Sequence, residues 1–262
     1  MKKLSYLSAI GVAVMSLAPA FAQSTAPAAG AIPHARDGKP NLSGIWQVLN
    51  SANFDLQDHP AQKDVPGGQS VVEGGDIPYQ PWALAKKQEN FKHRATTDPE
   101  AKCYLLGVPR ITYSGHPFQI FQGPASDPIT ILYEYAHANR FIYTDGTDHP
   151  KGPIEWWMGD ARGHWEGDTL VVDNVHFNDQ TWFDRAGDFH SEELHVVERY
   201  TLTDPDHISY QARIEDLKVF TRPWNISMVL YRRTEKNVQL LDYECYTFDI
   251  EKAYPFPIEG EN

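Results

Sequence analysis

Cysteine is scarce in this 262-residue sequence, with only Cys103 and Cys245. Two thiols exclude a Cys-rich zinc module, which needs several soft ligands at close spacing. Basic residues are also few: 23 Lys and Arg against 35 Asp and Glu give a formal net charge of −12. That deficit argues against a nucleic-acid partner, whose phosphates need clustered Lys and Arg, and against an anionic membrane surface or polyanionic substrate. Beyond the first 22 residues no apolar run is long enough to span a membrane. No Gly-rich phosphate loop joins a strand-like to a helix-like segment, which argues against a Rossmann or P-loop enzyme. There is no G-x-S-x-G nucleophile elbow, no H-E-x-x-H or H-x-H ligand pair, and no internal repeat. Aromatic residues, by contrast, are plentiful: 7 Trp, 13 Tyr and 12 Phe mark a globular chain rather than a disordered one.

The N-terminus reads as an export signal. Met1-Lys2-Lys3 is a short basic start, residues 4–17 are apolar apart from small hydroxyl residues, and Ala20-Phe21-Ala22 supplies the small residues of a cleavage site. Residues 1–22 are therefore expected to be a signal peptide removed after Ala22, giving a periplasmic or secreted protein. Loss of Lys2 and Lys3 deepens the acidic surplus by two further charges. Residues 23–40, rich in Ala, Pro, Ser and Gly, read as a flexible linker, and residues 41–262 as one β-barrel domain. Export permits a disulfide, and two cysteines allow one pairing. A Cys103–Cys245 bond would close a loop of about 140 residues, worth about 4–5 kcal/mol in the chain-entropy account. The competing reading is two separate buried thiols.

Residues 81–91 carry Pro in a first turn followed by good helix formers, and predict a helix. Short runs of β-branched and aromatic residues follow at 118–122, 129–135 and 141–144, separated by Gly, Pro, Asp and Asn. Residues 163–173 predict a hairpin turning at Glu166-Gly167-Asp168. Further strands are expected at 194–203, 208–214, 224–232 and 238–246. Ile208, Tyr210, Ala212 and Ile214 alternate with polar neighbours, as do Trp224, Ile226, Met228 and Leu230. Period-2 patterning of this kind belongs to antiparallel sheets with two unlike faces. So many consecutive strands point to a closed barrel or a sandwich, since closure removes exposed edges.

Gly44-Ile45-Trp46 places a G-x-W at the start of the first strand. This resembles the opening motif of lipocalins and related calycins. The resemblance implies an antiparallel calycin-like β-barrel with an N-terminal helical and loop extension, its Trp closing the floor under a late basic residue, Arg232 or Arg233. From Asp37 to about Cys245 the chain also resembles a widespread family of exported bacterial proteins, largely of uncharacterised function. The motifs that carry this likeness are Gly163-His164-Trp165-Glu166-Gly167-Asp168-Thr169-Leu170-Val171-Val172-Asp173, Phe177-Asn178-Asp179, Thr181-Trp182, Asp184, His190-Ser191, Leu194-His195 and Glu198-Arg199. They identify the family and supply no reaction.

Residues 173–199 hold the densest polar cluster. One reading is a His–carboxylate acid/base pair, because imidazole titrates near neutrality and a neighbouring carboxylate fixes its tautomer. The other is a solvated loop whose Asp and Asn cap turns. The adjacent Trp182-Phe183 favours a loop folded back as a lid. The catalytic candidates are His176, Asp179, Asp184, His190 and His195. Tyr135, Trp157, Trp165, Trp182, Arg199 and Tyr210 are candidates for lining an apolar pocket with polar handles. No cofactor and no metal ligand set is expected, and the eleven histidines are read mainly as structural or surface groups. The expected function is binding of a small hydrophobic or aromatic molecule in the barrel cavity, with cofactor-independent lyase, isomerase or hydratase chemistry if there is turnover. A non-catalytic ligand carrier and a metal-assisted hydrolase are the rival classes.

Overall fold

A computed structural model describes residues 30–63, 65–125 and 127–245. The expected signal peptide, residues 23–29 of the expected linker and Tyr246 lie outside these residues. Nine strands close into a barrel in chain order: β1 (Gly44–Val48), β2 (Phe118–Phe121), β3 (Ile129–Tyr133), β4 (Asn139–Tyr143), β5 (Asp160–Glu166), β6 (Thr169–Val175), β7 (His195–Asp204), β8 (His207–Glu215) and β9 (Trp224–Arg232). The mainly β, barrel-forming expectation holds.

Strand direction departs from it in one place. An odd ring cannot alternate direction all the way round, so one neighbouring pair must be parallel. That pair is β4–β5, registered at Ile142↔Ala161 and Tyr143↔Arg162, while the other neighbours are antiparallel. A parallel neighbour needs a long return connection, and residues 144–159 provide it. The strand expected at 238–246 does not form in its described part. β9 pairs directly with β1 through Trp46↔Arg232, so the ring is closed and no edge is left for a tenth strand. The segment after β9 instead returns across the molecule. Leu241 N–H donates to Glu134 (2.9 Å), Tyr243 bridges Tyr135, and Cys245 is bonded to Cys103 across 142 positions.

The one long helix among the described residues, α1 (Pro81–Thr97), runs past the expected end at residue 91. It stops at Asp98 because Pro99 disfavours a helical residue before it, and Asp98 is extended. No helix of the described residues is long and apolar enough to cross a membrane.

One end of the barrel is the floor. Trp46 is fully buried and donates its indole N–H to the Leu42 carbonyl (2.9 Å), and the Arg232 guanidinium lies 4.1 Å above its ring. Of the two arginines expected there, Arg232 takes the place. Gly44 has φ +147°, and a Cβ there would fall inside that guanidinium, so the glycine of the motif makes room for the arginine.

The long connections 49–117 and 176–194, with 134–138 and 216–223, all emerge at the opposite end. The 176–194 loop folds back over that end as a plug. Phe183 is 1% exposed and packs on Trp224 (5.7 Å between centroids) and Phe220 (6.3 Å), while Tyr113 O–H donates to its carbonyl (2.9 Å). The paired aromatics at 182–183 therefore mark a lid, as their adjacency suggests.

Candidate functional site

The plugged end gathers the polar residues because alternation along β5, β6 and β7 sends one residue in two outward, and the strands begin or end there. Asp160 opens β5, Asp173 lies near the end of β6, and His195 opens β7. Asp173 and His195 belong to adjacent strands, and His195 Nε2 meets Asp173 Oδ1 at 2.5 Å. The return connection 144–159 brings His149 alongside. Its Nδ1 donates to Asp160 Oδ1 (2.6 Å), and its Nε2 stands 3.8 Å from Asp173 Oδ2. Arg162 grips Asp160 through Nε (2.7 Å) and Nη2 (3.0 Å). His176, held at φ +62°, places its ring 6.3 Å from that of His149 and 6.0 Å from that of Trp156.

The electrostatics follow from these contacts. Burial works to raise the Asp160 carboxyl, but bonds from Arg162 and His149 outweigh it and hold the group below its ordinary range. The bond from His195 likewise lowers Asp173, and the bond to Asp173 raises His195 against its partial burial. An ionised Asp160 fixes the proton of a neutral His149 on Nδ1. The lone pair is then on Nε2, which is shielded from solvent and has no hydrogen-bond partner.

His195 supplies a direct test. A raised pKa means that the pair's stabilisation is fully present below the pKa of an unfolded histidine and is lost as pH rises through the folded value. NMR titration of the His195 ring should give a pKa above 6.5, and Asp173→Asn should bring it down. An unshifted His195 in the wild type would exclude the pairing.

The other sequence candidates are placed elsewhere. His190 is buried, and its two ring nitrogens are both used: Nδ1 donates to the Ser191 carbonyl (2.9 Å), so Nε2 accepts from the Thr181 hydroxyl (2.6 Å). Burial lowers its pKa, as suits a neutral structural imidazole. Asp179 is exposed and accepts only from the neighbouring Gln180 side chain (2.5 Å). Asp184 is wholly buried, accepting from Leu56 N–H (2.9 Å) and Asp188 N–H (3.1 Å); burial and the adjacent Asp188 charge push its carboxyl well up. The five catalytic candidates thus do not form one site. His176 and His195 join the cluster, and the other three are separated from it by their own local partners.

The ligand candidates also scatter: Trp165, Arg199 and Tyr210 lie on strands whose residues alternate between faces, and Tyr135, Trp157 and Trp182 on connections. Tyr210 points inward and donates to Glu198 (2.8 Å). Arg199 points outward and pairs with Glu166 (2.9 Å), while Trp165 borders a small outer pocket near Lys39. Trp182 bridges Phe189 in the plug, and Trp157 packs edge-on to Tyr104 (5.2 Å). Tyr135 lines a groove of about 590 Å³ outside the barrel, together with Phe54, Phe91, Arg94, Arg185 and Tyr243.

The interior is occupied by protein. Arg140 and Glu198 form a buried ion pair there; Asn174 donates to Glu198 (3.0 Å) and accepts from Arg140, and Tyr200 O–H donates to Glu198 (2.9 Å). Glu198 had a sequence signal: it falls on the inward face with Val196, Tyr200 and Leu202. His149 had none, because it lies in an irregular connection 24 residues before the Asp173 it approaches. No protein-family model, curated protein or solved structure matches this chain.

Proposed function

We propose that this is an exported barrel protein that binds a small hydrophobic or aromatic molecule at its plugged end. There it moves a proton on that molecule without a cofactor, as a lyase, isomerase or hydratase does. The observation that carries the reading is His149: Nδ1 is bonded to a buried, ionised Asp160, and the shielded Nε2 makes no hydrogen bond, with Asp173 Oδ2 3.8 Å away. That is the arrangement of a general base with its orienting carboxylate. Asp160 offsets the charge of the imidazolium that forms. His195, whose pKa the bond to Asp173 raises, is the matching donor. The rings of His176 and Trp156 offer the apolar wall. Export rests on the N-terminal pattern and on the Cys103–Cys245 bond, which suits an oxidising compartment.

A carrier without turnover is the second reading, favoured by the groove around Phe54, Phe91, Tyr135 and Tyr243. A metal-assisted hydrolase at His149 draws less support. Among the described residues the only set of three close donors lies elsewhere, at Asp55, Asp184 and Asp188.

Thermal-shift screening of the mature protein against aromatic and terpenoid compounds and divalent metals finds the ligand class, since a ligand of the native state raises stability by mass action. Compounds that bind should then be converted by the wild type and about 10²–10⁴-fold more slowly by His149→Gln. Binding without conversion selects the carrier. An absence of any shift overturns small-molecule binding for the compounds tested.

A further inference from the structure

Beneath α1, and apart from the histidine cluster, three carboxylates from two connections meet. Asp55 comes from the segment after β1, and Asp184 and Asp188 from the plug. One oxygen of each lies within 4.8 Å of the others. Asp184 and Asp188 are wholly buried, and Asp55 is half-buried. The Asp188 oxygens are treated unequally. Oδ1 accepts from the Tyr79 hydroxyl (2.5 Å) and from Lys87 Nζ (3.1 Å). Oδ2 is buried and has no hydrogen-bond partner. A buried carboxylate oxygen without a donor is costly unless something positive faces it.

We propose that Asp55, Asp184 and Asp188 form a calcium site that ties the plug to the segment after β1. The charges point to a divalent ion: with all three carboxylates ionised they and one ammonium carry −2, which one such cation cancels as it displaces the proton that burial and the Asp188 charge favour on Asp184. The donors point to calcium: all are carboxylate oxygens carried on irregular connections, which suits calcium's flexible coordination better than the strict octahedron of magnesium. Calcium also takes six to eight oxygens, and the remaining positions go to water from the groove of about 380 Å³ that Asp55, Lys87, Phe91 and Ala186 line. Lys87 keeps its hold on Oδ1 while Oδ2 turns to the ion. A site assembled from two connections, with one ligand half-exposed, belongs in the weak range typical of extracellular calcium modules, about 10⁻⁴–10⁻³ M.

The test uses the mature chain after chelator treatment. Millimolar calcium should raise the wild-type melting temperature by about 2–5 °C, more than magnesium at equal ionic strength, and the rise should vanish in Asp55→Asn and Asp188→Asn. Asparagine keeps the shape of each side chain and removes the charge that holds the ion. Terbium bound at the site should luminesce when excited through Tyr79, and calcium should displace it; this measurement needs no variant. No calcium-dependent rise, an equal rise in both variants, or terbium emission that calcium leaves unchanged overturns the assignment.

Discussion

Arg140→Met is expected to destabilise the protein by about 3–5 kcal/mol, because it strands a charge inside the barrel. Arg140 is 3% exposed and Glu198 not at all. The carboxylate would keep its bonds from Tyr200 (2.9 Å), Tyr210 (2.8 Å) and Asn174 (3.0 Å), but those neutral donors do not cancel its charge. Adding Glu198→Gln to Arg140→Met should recover a large part of the loss. The glutamine removes the stranded charge while its carbonyl still accepts from the two tyrosines. Urea unfolding monitored by tryptophan fluorescence reads both effects, with a fall in midpoint at unchanged m. A cost below about 1 kcal/mol for Arg140→Met would place the pair in contact with water, contrary to the packing described.

Replacing both Cys103 and Cys245 with serine is expected to cost about 2–5 kcal/mol, towards the upper end because the closed loop is long. The bond spans 142 positions and fastens the returning C-terminal segment. That segment has few other fixings: the Leu241–Glu134 bond, the Tyr135–Tyr243 bridge and an exposed His137–Glu244 pair (3.1 Å). Tyr243 and Cys245 also border the groove that contains Tyr135. Loosening the segment therefore widens one wall of that groove, and any ligand bound there should dissociate faster from the serine variant. Denaturation with and without reductant separates the cases. Reductant should lower the wild-type midpoint to that of the variant and leave the variant unmoved. Two thiols alkylated in the unreduced, unfolded wild type would show that the bond is absent.

Much of the barrel is legible from alternation alone. The hairpin at 163–173 turns at Gly167-Asp168, with Glu166 paired to Thr169 as expected, and Gly167 takes the positive φ that such a turn favours. The three long strands β7, β8 and β9 bury one residue in two, in agreement with their sequence period. Residues 238–245 show where that reasoning stops. A run with strand character still needs a free edge, and whether one exists depends on how the other strands close. The candidate site was readable only in part. His176, His195 and its partner Asp173 stand in the polar stretch 173–199, but His149 arrives through the return connection and its partner Asp160 opens β5. Asp184 was conspicuous as a charge, and its neighbours Asp55 and Asp188 are set by the packing of the plug under α1.

The sequence by itself determined the strand faces, the turn positions, the G-x-W floor and the acidic surplus, because each depends on chemistry between near neighbours or on composition. Tertiary structure decided the rest. Ring closure with nine strands forced the parallel β4–β5 pair and hence the connection that carries His149. Closure also turned the inward face of β7 into a buried interior, where Glu198 needs Arg140. The side-chain contacts that define an acid/base pair or an ion site act over a few ångströms. His149 and Asp160 are 11 positions apart and Asp55 is about 130 from Asp184 and Asp188, so only the folded chain brings them within range.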